Sequence, residues 1–115
     1  MICYYCQQKT VKKPLSIENE HTINVEFCEN CKAEYIYWAD GVLTTHLYTY
    51  INDKMYRWSV DSDGVIGRLW HYEEPGIPAV RPNRKGKLVK VFHEDKPDIT
   101  PQNINDKIKL ILLFM

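Results

Sequence analysis

A chain of 115 residues and 13.6 kDa carries 44% apolar and 12% aromatic side chains, with 15 positive charges against 15 negative. So much apolar area offsets the ordering entropy of one compact domain, which excludes a disordered chain. The longest apolar run, Leu110 to Met115, is six residues, far below the roughly 20 that a membrane span needs, and Met1 to Cys6 reach Lys12 and Lys13 without a signal-like apolar stretch, so the expected location is the cytoplasm.

The first element is a pair of cysteine motifs. Cys3-Tyr4-Tyr5-Cys6 and Cys28-Glu29-Asn30-Cys31 each put two thiols at i and i+3, where a tight turn aims both sulfurs at one point. The 21 residues between the pairs are one more than the usual range for a four-cysteine zinc pattern. A soft, tetrahedral sulfur set suits zinc or a single iron, and four thiolates leave no open position for water, so the site is structural. Two disulfides or a redox pair are the competing chemistries; a reducing compartment opposes the first, and the flanking sequence lacks the βαβ context of the second.

On these four cysteines, residues 1–40 resemble the zinc-ribbon superfamily. The resemblance implies two metal-binding knuckles, one structural Zn2+ held by Cys3, Cys6, Cys28 and Cys31, and a small antiparallel sheet. Knuckles of that superfamily often read C-P-x-C-G, whereas Gln7 and Lys32 follow the pairs here. Zinc ribbons occur in transcription factors, polymerase subunits, ribosomal proteins and small viral proteins, so the resemblance implies a fold element more than a function.

Next, Lys12-Lys13-Pro14 reads as a turn, and Ile17 and Ile23-Val25-Phe27 as short strands. Segments near Glu34–Trp38, Val42–Ile51, Lys54–Val60 and Val65–Tyr72 are rich in β-formers and separated by Asp40-Gly41, Asn52-Asp53 and Asp61-Ser62-Asp63-Gly64, which predicts an antiparallel meander. A two-residue turn at Asn52-Asp53 sets Leu47 opposite Trp58. A three-residue loop at Ser62-Asp63-Gly64 sets Val60 opposite Ile66 and Tyr56 opposite Trp70. The core face then collects Leu43, Leu47, Ile51, Tyr56, Trp58, Val60, Ile66 and Trp70. The other face offers Tyr48, Tyr50 and Arg57 to a protein partner.

Glu73 to Gly86, with three prolines, is expected to be a long loop. Arg81, Arg84, Lys85, Lys87 and Lys90 follow closely, and the last 35 residues carry +4 against −4 in the first 80. Leu88 to Phe92 reads as a strand. Thr100 is expected to cap a helix of about 14 residues that opens at Pro101, with Ile104, Ile108, Ile111, Leu112 and Met115 at helical spacing and Asn105, Lys107 and Lys109 outward. The fold class is thus α+β, mainly β, in a single domain 1–115: a ribbon part at 1–40, an antiparallel sheet at 41–93 with its loop at 73–86, and a C-terminal helix at 100–115.

No catalytic set stands out. The histidines at 21, 46, 71 and 93 form no known nuclease, deaminase or zincin pattern, Glu73-Glu74 reads as a solvated pair, and Asp61-Ser62-Asp63-Gly64 as a turn. The expected function is a non-catalytic zinc-binding adaptor that docks on a larger protein assembly. The competing expectation is a nucleic-acid-binding zinc ribbon using Arg81, Arg84, Lys85, Lys87 and Lys90 on phosphates. The excess of lysine over arginine suits an AT-rich genome, and zinc ribbons of this size imply an accessory protein of a virus or phage acting on transcription or replication machinery.

Overall fold

A computed structural model describes residues 1–13, 22–62, 64–72 and 86–115. Among these residues, seven antiparallel strands form one sheet in sequential order: β1 (Val11–Lys13), β2 (Thr22–Phe27), β3 (Glu34–Trp38), β4 (Leu43–Ile51), β5 (Lys54–Asp61), β6 (Gly67–Tyr72) and β7 (Lys87–Phe92). One helix follows, α1 (Ile104–Leu113). The expected loop at 73–86, apart from Gly86, lies outside the described residues, as do Ile17, His21 and the Glu73-Glu74 pair.

Turn chemistry sets the pairing. Asn52 and Asp53 both take left-handed φ, 52° and 64°, the pattern of a two-residue hairpin turn, and Leu47 lies opposite Trp58 as the turn predicts. Between β3 and β4 the reversal is held by Gly41 N–H on the Trp38 carbonyl and Trp38 N–H on the Val42 carbonyl, with Gly41 at φ 89°.

Three expectations change. Lys12 and Lys13 belong to β1, where they pair with Glu26 and Val25 of β2. Beyond β5, Gly64 N–H closes a turn on the Asp61 carbonyl and Gly64 is left-handed, but Val65 is left exposed as an additional residue before β6. Val60 therefore faces Gly67 instead of Ile66, Tyr56 faces His71 instead of Trp70, and Leu69 replaces Trp70 on the core face. A one-residue slip exchanges the faces of a whole strand. Burial shows why this register is preferred: Leu69 is fully enclosed beside Trp58, whereas Trp70 covers the Arg57 guanidinium on the opposite face.

The third change concerns the helix, which is ten residues long and starts later than expected. Its entry is nonetheless built by Thr100. Asn103 N–H donates to the Thr100 hydroxyl and Thr100 N–H to Asn103 Oδ1, a reciprocal pair like a capping box with asparagine in the acidic position. Ile104 and Ile108 are buried in the core. Asn105 turns inward, its amide donating to Thr49 Oγ1 at 3.0 Å and to the Tyr50 carbonyl at 2.9 Å, so α1 lies on β4.

Gly67 is required by packing. A Cβ at Gly67 would overlap the indole of Trp58 on the neighbouring strand, and Trp58 is at the centre of the core. Gly67→Ala is expected to lower stability by about 1–3 kcal/mol through this overpacking, measured by urea denaturation, with loss of the near-ultraviolet signature of Trp58.

Candidate metal centre

Two knuckles bring the cysteines together, and their backbones repeat the same hydrogen bonds. In the first, Cys3 N–H donates to the Gln8 carbonyl and Gln7 N–H to the Cys3 carbonyl, at 2.8 and 3.0 Å. In the second, Cys28 N–H donates to the Ala33 carbonyl and Lys32 N–H to the Cys28 carbonyl, at 2.9 and 2.8 Å. Gln7 and Lys32, the residues after each pair, both adopt φ 64°. These are the positions where glycine is common in such knuckles, so the turn keeps its left-handed step without glycine.

Each knuckle is also the tip of a hairpin. The first closes a short ladder at Ile2 and Lys9, and the second joins β2 to β3. The four Sγ atoms lie within 4.8 Å of one another, with Cys3 to Cys31 at 3.3 Å and Cys6 to Cys28 at 3.4 Å. A tetrahedral ion with bonds of about 2.3 Å needs sulfurs about 3.8 Å apart, so the set fits a four-thiolate metal site. Cys3 and Cys28 are buried against the core; Cys6 and Cys31 form the outer side.

Around the sulfurs stands a polar shell. The Tyr35 hydroxyl, fully buried, lies 3.1 Å from Cys3 Sγ and accepts the Tyr4 N–H at 3.1 Å, which leaves its own proton for the sulfur. Burial disfavours a Cys3 thiolate, but hydrogen bonds from Tyr35, the Cys6 amide and Cys31 together bring that thiol down to about 6. Burial and the neighbouring Cys3 push Cys31 up.

The residues expected to bind a partner fall differently. Tyr48 is partly buried, its hydroxyl donating to Glu34 Oε1 at 2.9 Å, and Arg57 is half-buried between the rings of Trp70 and Tyr72. Tyr50 is half-exposed. Of the basic residues, Lys87 and Lys90 are exposed on β7, with Lys90 over the Phe92 ring, while Arg81, Arg84 and Lys85 lie outside the described residues.

Sequence reasoning missed a buried pair on that face. Glu34, His46 and Ser59 are direct cross-strand neighbours on β3, β4 and β5, and His46 Nδ1 is 2.7 Å from Glu34 Oε1. The signal was the Asp40-Gly41 turn, whose three-residue loop puts Glu34 opposite His46. Burial lowers the His46 pKa; the Glu34 hydrogen bond opposes this and nearby Arg57 adds to it.

No family model, curated protein or solved structure matches this chain. The site is therefore characterised by its own geometry: four cysteines placed to hold a metal ion.

Lys32→Gly is expected to raise the stability of the metal-loaded protein by about 0.5–1 kcal/mol in chemical denaturation, because glycine takes the left-handed step without a Cβ penalty. His46 supplies a pH test. Its folded pKa lies below the unfolded value, so its contribution is present above about pH 6.5 and is lost as pH falls, by at most about 1.4 kcal/mol per pH unit. Denaturation at a series of pH values should show that slope between pH 6.5 and 5 and its flattening in His46→Gln.

Proposed function

We propose that this protein is a zinc-stapled, non-catalytic interaction module that docks on a larger protein assembly through the far end of α1. The observation that carries the reading is the joint one: a four-cysteine cluster rooted in the core, and a helix whose near half is buried while Leu113 and Phe114 are 73% and 83% exposed. Leu110 and Met115 extend the same apolar surface. Apolar side chains gathered at one place and rimmed by Lys109 and Asp106 suit a protein contact.

Zinc is the metal that best suits a closed set of four thiolates without redox work. Ions of this class contribute roughly 10–16 kcal/mol in finger-like peptides, comparable to the whole stability of a domain. Without metal the two hairpin tips lose the ion that would join them, and Cys3 and Cys28 stay buried with nothing to ligate, Cys3 beside the Tyr35 hydroxyl.

Metal analysis of the purified protein is expected to give one zinc per chain. Cys28→Ser should reduce that content and expose the N-terminal amides to hydrogen exchange; a metal-free chain that stays fully protected would overturn the zinc assignment. For the docking surface, Leu113→Asp combined with Phe114→Ser should abolish binding to a partner retained by the unaltered protein while leaving zinc content and thermal unfolding unchanged. Binding that survives this double substitution would remove α1 as the contact.

A further inference from the structure

The sheet face opposite the metal centre carries an open groove of about 610 Å³, lined by Trp38 and Trp70, by His46 and Ser59, and by Arg57 and Arg68. Its size is within the range of small-molecule sites, roughly 300–1,000 Å³. Two of the chain's three tryptophans are here; the third, Trp58, is buried on the other face.

The lining carries two carboxylates, Asp40 and Asp61, and two guanidinium groups, Arg57 and Arg68, and these are unequally matched. Asp61 accepts the Thr44 hydroxyl at 2.7 Å and lies 4.0 Å from Arg68 Nη1, so Arg68 has a counter-charge. Glu34 is sealed from solvent, its Oε1 taken by His46 and Tyr48 and its Oε2 buried without a donor. Arg57 enters no ion pair among the described residues, and its Nε is buried without an acceptor. Its guanidinium is framed by Trp70 and Tyr72, each ring centre 5.2 Å from Cζ. Aromatic faces favour the cation, but they do not supply an acceptor for its N–H groups. A half-buried guanidinium with no carboxylate within 4.0 Å among the described residues keeps N–H groups to donate, and its planar fork matches the oxygens of a carboxylate or phosphate.

His46 completes the donor and acceptor pattern. It lines the groove with its Nδ1 taken by Glu34, so Nε2 is its second ring nitrogen. Tryptophan at the walls supplies flat apolar surface for a planar group.

We propose that this groove binds a ring-bearing organic oxyanion, its carboxylate or phosphate oxygens on Arg57 and its planar group against the tryptophan walls. The same chemistry is offered by a nucleoside monophosphate and by an aromatic carboxylate, and the two are separable by experiment.

The indole N–H resonances of Trp38, Trp58 and Trp70 give a direct readout by two-dimensional NMR of the intact, metal-loaded protein. Titration with adenosine monophosphate in one arm and indole-3-acetate in the other is expected to move the Trp38 and Trp70 signals and leave Trp58 in place. The arm that saturates at the lower concentration names the oxyanion. Adenosine and inorganic phosphate, each half of a ligand, should bind at least about tenfold more weakly than the full compound. Arg57→Gln should weaken binding by about tenfold or more. If that variant does not fold, Arg57→Lys keeps the charge, loses the bidentate fork and should still weaken binding. Absence of any shift at Trp38 and Trp70 at millimolar concentrations of both compounds, or a shift of equal affinity in a folded Arg57 variant, would overturn the proposal.

Discussion

The convergence of four sulfurs at two hairpin tips is the constraint on which the N-terminal third depends. Cys3, Cys28 and Ala33 are fully buried, and their burial continues into Tyr35, Leu47 and Trp58, so the cluster is a corner of the main core and not an appendage to it. The ladder runs on from β3 to β4 without interruption, which makes the ribbon-like part and the meander one sheet. A metal-free corner of this kind would put sulfur where the rest of the core has hydrocarbon; the Tyr35 hydroxyl, held in position by the Tyr4 amide, meets Cys3, and the Asn30 side chain meets Cys6.

The two faces of the sheet have different chemistry because turn geometry decides which residues share a face. On one lie the metal ligands, Leu47, Trp58, Leu69 and the buried half of α1. On the other, Glu34, His46 and Tyr48 make a buried polar group beside Arg57. Low local dielectric strengthens such hydrogen bonds and also makes each unmatched atom expensive, which sets Glu34 Oε2 and Arg57 Nε apart from the rest of the face. The N-terminal edge has its own buried carboxylate. Glu26 accepts the Thr10 hydroxyl and the Asn24 amide, which outweigh burial and lower its pKa.

Much of the fold was legible where local chemistry admits one solution. Asn52-Asp53 tolerates left-handed φ, and two Cys-x-x-Cys pairs aim four thiols at one place; Thr100 marks the approach to the helix, although the helix itself begins only at Ile104. The signals failed where a single residue tips the balance. Val65 lengthens the third reversal by one, and no propensity separates it from the first residue of β6; only the better burial of Leu69 over Trp70 selects the register. Lys12 and Lys13 look like turn residues by polarity, yet an edge strand with lysines is a common way to protect an open sheet edge. Asn105 sits at an outward-looking helical position, and its inward turn depends on Thr49 and Tyr50, more than 50 residues earlier in the chain. The left-handed steps at Gln7 and Lys32 were hidden for a different reason: the backbone pattern of the knuckle is kept although the residue type that usually signals it is not.

Asn105 has a mechanical consequence. Its one amide grips both a side chain and the backbone of β4, while the apolar tip at Phe114 is nine residues further along the helix, roughly 14 Å away at 1.5 Å per residue. The helix is thus a short lever with its fulcrum on the central strand. Thr49 and Tyr50 continue along β4 into Tyr48 and His46, so the hold on α1 and the buried polar group of the opposite face share one strand.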